Sequence, residues 1–286
     1  MSFPIEILPA AEFPKRLLEI PQPPKQLNFR GTLPSSEIKL LSVVGSRKYT
    51  SYGKQVVDEL IGGLKSYPIG IVSGLALGID SLSHEAALKN NLYTLAIPGG
   101  GLDDSVIYPA THKPLARRIL ESGGGMLSEY EPDFKATRWS FPERNRLVTG
   151  ISQATLLIEA TEKSGTLITA RLAADYNREL LVVPGNIFSK NSAGVHQFLK
   201  LGATPVTTAD DILEVLGIDK VEKIKPVTKN ASTEEQLVIN LLNEPLHRDE
   251  LIRRMNIPVA EASQTLMLME LSGMITSEQN IYRTSI

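Results

Sequence analysis

The sequence predicts an α/β protein: a doubly wound, mostly parallel sheet followed by a small C-terminal winged-helix domain. Two observations carry this. From Ile38 to Gly217, short apolar runs stopped by glycine alternate with segments of helical periodicity, the pattern of a parallel sheet covered on both faces. After Gly217 the composition turns charged and weakly apolar, and three short helical patterns and a hairpin pattern follow.

Taken in order, residues 1–34 are rich in proline and read as an extended N-terminal arm with little regular structure. Residues 35–217 form the main domain. "IKLLSVVG" is an unbroken apolar run ending in glycine, which marks a strand buried on both faces. "YGKQVVDELIGGLKSY" then puts Val56, Val57, Leu60, Ile61 and Leu64 on one helical face. "IGIVSG", "LYTLAIPGG", "GMLSEY", "QATLLIEA" and "ELLVVPG" read as further strands. "IDSLSHEAALKN", "ATHKPLARRILESG" and "SGTLITARLAADYN" read as helices between them, and "AGVHQFLKLG", "ATPVTT" and "ADDILEVLG" complete the run. The stretch "WSFPERNRLVTG" is assigned no element of its own and stands ahead of the buried strand "QATLLIEA". Residues 218–232 read as a linker and 233–286 as the winged helix.

Composition narrows the function. A chain of 286 residues with 42% hydrophobic and 22% charged residues can build a packed core. Without cysteine there is no disulfide framework and no thiolate metal site. His84, His112, His196 and His247 are scattered without ligand spacing, so no metal is expected. The N-terminus lacks the features of a secretory signal, and no apolar run is long enough to span a bilayer. The expected location is cytoplasmic, with no membrane association. The net charge of -2 requires any basic surface to be local.

Ligands of open parallel sheets bind outside the carboxyl ends of the strands. The turns there are rich in glycine and serine: Gly45, Ser46 and Arg47 after the first strand, Ser73 and Gly74 after the second, Gly99 and Gly100 after the third. Lys163, Ser164, Gly165 and Thr166 open a later helix. Glycine lets backbone approach a ligand closely, and free amides at a helix start attract anions. Several such turns on one sheet edge predict a phosphate site, whereas Asp80 reads better as a helix cap. The spacing fits neither the dinucleotide fingerprint nor the P-loop, so no NAD, ATP or other cofactor is expected.

Arg47, Arg144 and Arg146, with Asn145 between the last two, can gather at that edge, and guanidinium forks pair with phosphates. The alternative is internal salt bridges to Glu143 or Glu129. Phe141, Trp139 and Tyr108 offer stacking faces for bases, or belong to the core. Ser73 and Ser164 have no histidine close in sequence, so no catalytic nucleophile is expected.

These motifs resemble the DNA-processing protein A family (DprA, also called Smf) from about Leu33 to Gly217. They include "VVGSRKYTSYG", "SGLALGIDSLSHEAAL", "PGGGLDDSVIYP", "LSEYEPDFKATRWSFPERNRLVTGIS", "EATEKSGTLITARLA" and "VPGNIFSKNSAGVHQFLKLGA", in the family's order. The resemblance implies an extended Rossmann-like domain that binds single-stranded DNA, loads the RecA recombinase during natural transformation, works as a homodimer and is not an enzyme. Carried over by position, Arg47 and the glycine turns match the family's DNA pocket, and "FPERNR" matches its rim. Where many members carry a DNA-contacting lysine after "YP", this chain has Ala110, with Lys113 as the substitute. Many members also carry an N-terminal helical domain, for which residues 1–34 leave no room. Val195, Phe198 and Leu199 form an apolar stripe suited to dimerisation, or to burial in their own domain. The third helical pattern of the winged helix, "AEASQTLMLMELSG", has no Lys or Arg, so partner contact or autoregulation is expected there rather than phosphate binding. The alternatives are a nucleotide phosphoribohydrolase-like enzyme, whose threonine and glutamate pair after the glycines is replaced here by "LDD", and a nucleotide-sensing module of the same fold.

Overall fold

The computed structural model describes residues 3–219, 233–242, 245–271, 274–278 and 280–284. It divides into two units, Met1–Lys220 and Val221–Ile286. In the first unit the chain runs β1 (Ile5–Ile7), α1 (Lys15–Leu18), β2 (Asn28–Gly31), β3 (Lys39–Gly45), α2 (Ser51–Gly63), β4 (Ile69–Ser73), α3 (Ile79–Lys89) and β5 (Tyr93–Ala96). It continues through α4 (Lys113–Glu121), β6 (Gly125–Ser128), α5 (Ser140–Ile151), β7 (Ala154–Ile158), α6 (Thr166–Asp175), β8 (Glu179–Val182), α7 (Ala193–Lys200), β9 (Thr204–Pro205) and α8 (Ala209–Val215).

The strands form one sheet in the order β1-β2-β6-β5-β4-β3-β7-β8-β9. All neighbours from β6 to β9 are parallel, and β1 and β2 are antiparallel additions at the β6 edge. From β3 the chain winds outward through β4, β5 and β6, then returns to β7 on the other flank of β3. The winding therefore reverses between β3 and β7, which is where an open α/β sheet offers its ligand crevice.

The extended arm is corrected. Residues 1–34 supply β1, α1 and β2, with Phe29 paired to Leu127 and Ile5 to Arg30. Leu8, Phe13, Leu17, Ile20, Leu27 and Phe29 join the core that α5 closes with Leu147, Val148 and Ile151. The prolines lie between these short elements rather than inside them, and an antiparallel edge tolerates that. Leu27 is fully buried, so Leu27→Ala is expected to cost about 2–5 kcal/mol. A fall in the urea midpoint checks this, and an unchanged midpoint would mean that the arm is not docked.

The second correction is α5, formed by the stretch given no element. Pro142 occupies its first turn, where an N–H has no helical partner. Gly150 lets α1 and the chain just after it approach closely: a Cβ there would sit 2.9 Å from Ile20 Cγ2 and 3.3 Å from Leu17 Cδ2. On α7, Val195 and Phe198 are buried in this unit's own core, with the partly buried Leu199 packed against it, so the stripe is taken up by its own domain, the alternative given for it.

The second unit contains α9 (Thr233–Leu241), β10 (Leu246–His247), α10 (Arg248–Met255), α11 (Val259–Leu271), β11 (Ile275–Glu278) and β12 (Ile281–Thr284), with sheet order β10-β12-β11. Leu251, Ile252, Met255, Leu266, Met269 and Tyr282 are among its own core. This is a winged helix, with the short strand β10 added to the expected hairpin. The linker expected at 218–232 lies outside the described residues except for Ile218 and Asp219. No helix of the described residues is long and apolar enough to cross a membrane.

Candidate functional site

A cleft of about 720 Å³ opens at the winding reversal, between the turns after β3 and β7 and the start of α5. The β3 turn supplies Gly45, Ser46, Arg47 and Lys48. Its shape is set from within: Ser46 N donates to Glu159 O at 2.7 Å, and Ser46 Oγ accepts from Lys48 N at 3.1 Å. Gly78, at φ +89, packs directly beneath; a Cβ there would meet Ser46 O at 2.2 Å. The turn thus holds Arg47 and Lys48 out into solvent. The Arg47 guanidinium lies 5.4 Å from the Phe141 ring centroid, and Tyr108 sits 5.8 Å from the same ring.

The opposite wall is the segment from Thr161 to Thr166. Thr166 Oγ1 donates to Gly45 O at 3.0 Å, which ties the two turns together. Gly165 is the N-cap of α6 without a capping side chain, and nothing lies within 4 Å of where its Cβ would be. That helix start is open. By contrast, the start of α2 is filled from inside, because Thr50 N and Oγ1 donate to the Glu159 carboxylate. Of these two helix starts, that of α6 is the one uncovered by a side chain, although Thr166 N, Leu167 N and Ile168 N already donate to Ser164 Oγ, Ser164 O and Gly165 O.

Arg144 and Arg146 part company on α5. Residues two apart on a helix point about 200° from one another, so they cannot share a wall. Arg144 is buried at the cleft floor, donating to Gly74 O at 2.6 Å and to Ile97 O. Asp80 lies alongside and accepts from Gly74 N at 3.1 Å. Burial lowers the Arg144 pKa to about 10, with Asp80 opposing the shift, so it stays charged at neutral pH. Burial raises the Asp80 pKa, and Arg144 opposes that shift too. Asp80 therefore holds the β4 turn through Gly74 N and faces Arg144 as a neighbouring charge, without an ion-pair contact, rather than serving as the N-cap; Gly78 holds that position. Arg146 turns away and pairs with Glu129, both side chains nearly buried. It does not line the cleft, and the internal salt bridge is the correct alternative for it.

Other expected residues are also displaced. Ser73 is interior, donating to Val43 O at 2.7 Å. Gly74 is needed where it is because a Cβ would collide with the Arg144 guanidinium. Gly99 and Gly100 face the protein's own 130–141 segment: a Cβ on Gly99 would strike the Phe141 ring, and one on Gly100 would meet Phe134 O at 2.8 Å. Their turn seats Phe141 instead of a phosphate. Lys113 starts α4 near Asp103 and Asp104, away from the cleft lining. Lys163 is exposed on the β7 turn beside Ser164 without lining the cleft. Gly45, Ser46, Arg47, Arg144, Asn145, Ser164, Gly165 and Thr166 do line it, joined by the unforeseen Lys48, Arg138 and Asn191. Lys48 had a signal, since it follows Arg47 in the same turn. Arg138 and Asn191 had none, because their elements meet only in the fold.

Beneath the cleft, His84 is fully buried with Nδ1 2.7 Å from Thr94 Oγ1. Thr94 gives its own hydrogen to Ile71 O, so His84 Nδ1 is the donor. Burial depresses the His84 pKa to about 3, helped by His112 and Arg144. The unfolded chain, with a histidine pKa near ~6.5, takes up this proton first, so stability present above that pH is lost as pH falls towards 3. His84→Gln is expected to flatten this part of the urea midpoint's pH profile. A wild-type profile retained by the variant would rule out His84 as its source.

The comparisons agree with this fold. The family model for DNA recombination-mediator protein A matches residues 6–217, and that for the DprA winged helix domain matches 224–279. Protein Smf of Escherichia coli is 35% identical over 275 residues, covering 93% of this chain and 73% of that protein. The DNA processing protein DprA of Bacillus subtilis is 36% identical, covering 75% and 72%. Among solved structures, DprA of Streptococcus pneumoniae superposes with a TM-score of 0.68 at 35% identity, covering 75% of this chain and 74% of that one. DNA processing protein A of Helicobacter pylori, known for its single-stranded DNA binding mode, gives 0.66 at 31% identity, covering 75% and 96%. A doubly wound sheet with its cleft at the winding reversal, a C-terminal winged helix and these matches make the chain a member of the DNA recombination-mediator protein A family.

Proposed function

We propose that this protein binds single-stranded DNA through the cleft, without sequence preference, and as a cytoplasmic homodimer shields the strand and loads RecA recombinase onto it. The observation that carries the DNA reading is the composition of the cleft rim. Arg47, Lys48 and Arg138 are exposed and, among the described residues, unpaired with any carboxylate, and they surround the open start of α6 and the Phe141 and Tyr108 rings. Cations hold phosphates and ring faces stack bases of any identity. RecA loading and dimerisation rest on family membership; the buried α7 stripe no longer argues for a dimer.

The chemistry favours a binder over the phosphoribohydrolase-like enzyme. Ser46 and Ser164 spend their hydroxyls on Lys48 O and Thr166 Oγ1. Asp104 is paired with Arg30 and Asp103 accepts from Ser105 N, so neither is offered to the cleft as a catalytic acid. Titration of fluorescent single- and double-stranded oligonucleotides over a range of salt tests the reading. Preference for the single strand is expected, with a log–log salt slope of about -0.7 per phosphate neutralised. Equal or tighter duplex binding would overturn it.

A further inference from the structure

Charge is distributed unevenly beside the cleft. Neither Ser46–Val57 nor Leu180–Ala209 contains a single Asp or Glu, yet together they carry Arg47, Lys48, Lys54, Lys190 and Lys200. The two segments are tied to one another: Tyr52 Oη donates to Pro184 O at 2.6 Å, and Asn191 Nδ2 to Lys48 O at 2.8 Å. Between Pro184 and Asn191 the loop is fixed by its own bonds, Phe188 N to Asn186 Oδ1 at 2.8 Å and Ser189 N to Asn186 O at 3.0 Å. On this anchored loop Ile187 is 77% exposed and Phe188 88%, the highest value of any large hydrophobic side chain described.

A ring held out in water by a braced loop gains nothing from the fold, so its contribution lies in what it meets. A second copy is a poor occupant, because a symmetric contact would set Lys48 and Lys190 against their twins. A polyanion with apolar faces suits both features. Asn191 lines the cleft, and Phe188 is three residues away, within about 10 Å along the chain. We infer that Phe188 is an exit platform of the cleft: single-stranded DNA leaving past Asn191 stacks a base on Phe188, with its phosphates facing Lys48 and Lys190. This rests on the single-strand reading above and extends it to a second base-stacking subsite.

The test compares Phe188→Ala, Phe188→Tyr and Arg47→Ala with wild type, on oligothymidylates of about 4 and about 20 nucleotides. Phe188→Ala is expected to bind the longer strand about tenfold more weakly, leave the shorter one unchanged and keep the wild-type urea midpoint. Phe188→Tyr, which keeps a ring face, should restore binding. Unchanged long-strand affinity in Phe188→Ala, while Arg47→Ala is weakened, overturns the platform and leaves the cleft reading standing. Equal weakening on both lengths overturns it too, since it would place Phe188 inside the cleft. Loss of self-association by light scattering at unchanged DNA affinity would assign the patch to a second copy instead. If wild type binds neither strand, the single-strand reading fails and takes this inference with it.

Discussion

Arg47→Ala is expected to weaken single-strand binding by roughly 10- to 100-fold, from losing one charge-assisted contact of about 1.5–3 kcal/mol. It should also flatten the salt slope by about 0.7, one released counterion. Its position is the reason: it leaves the first parallel strand at the winding reversal, exposed and, among the described residues, without a carboxylate partner, over the Phe141 ring. Because it is exposed, its removal should change stability by no more than about 0.5 kcal/mol. A folded Arg47→Ala protein with wild-type affinity would mean that DNA does not enter this cleft.

Arg144→Ala should behave oppositely, with a stability loss of about 3–5 kcal/mol as its first effect. Removing the guanidinium leaves the Asp80 carboxylate buried without its neighbouring cation, and frees the Gly74 and Ile97 carbonyls from their donor. Lysine should not rescue it, since a single ammonium cannot reproduce a planar fork spanning two carbonyls. Asp80→Asn added to Arg144→Ala should cost less than the sum of the two changes, because each relieves the other's unpaired charge. Arg146→Ala also leaves a carboxylate, Glu129, without its partner, but on the face of α5 turned from the cleft. It should lower the urea midpoint and leave the salt slope alone. A flattened slope for Arg146→Ala would return it to the DNA path. Additive costs for Asp80 and Arg144 would mean that the two charges do not act on each other.

The parallel sheet was legible because its signal is local: each strand carries its own apolar run and stop, and each helix its own face. The same holds for the Gly45–Arg47 and Ser164–Thr166 turns, which announce themselves in the few residues after a strand. The arm was not legible, since strands as short as Ile5–Ile7 have too few residues for alternation to register against flanking prolines. Helix α5 was hidden for a different reason. It is buried on more than one face, with Arg144, Arg146 and Thr149 among its buried residues, so it shows no single apolar period.

The roles of single residues divide along the same line. Sequence alone determined the fold class, the winged helix and the strand edge on which the cleft lies, all of which follow from periodicity and family motifs. Only the tertiary structure decided that Gly99 and Gly100 seat an aromatic ring, that Ser73 is interior, and that two arginines two residues apart serve opposite faces. Those outcomes depend on what a side chain meets across the fold. Arg146 meets Glu129, 17 positions away in the chain, and Arg144 meets Gly74, 70 positions away. No local pattern encodes such a partner, because the pairing exists only once helix and sheet have packed.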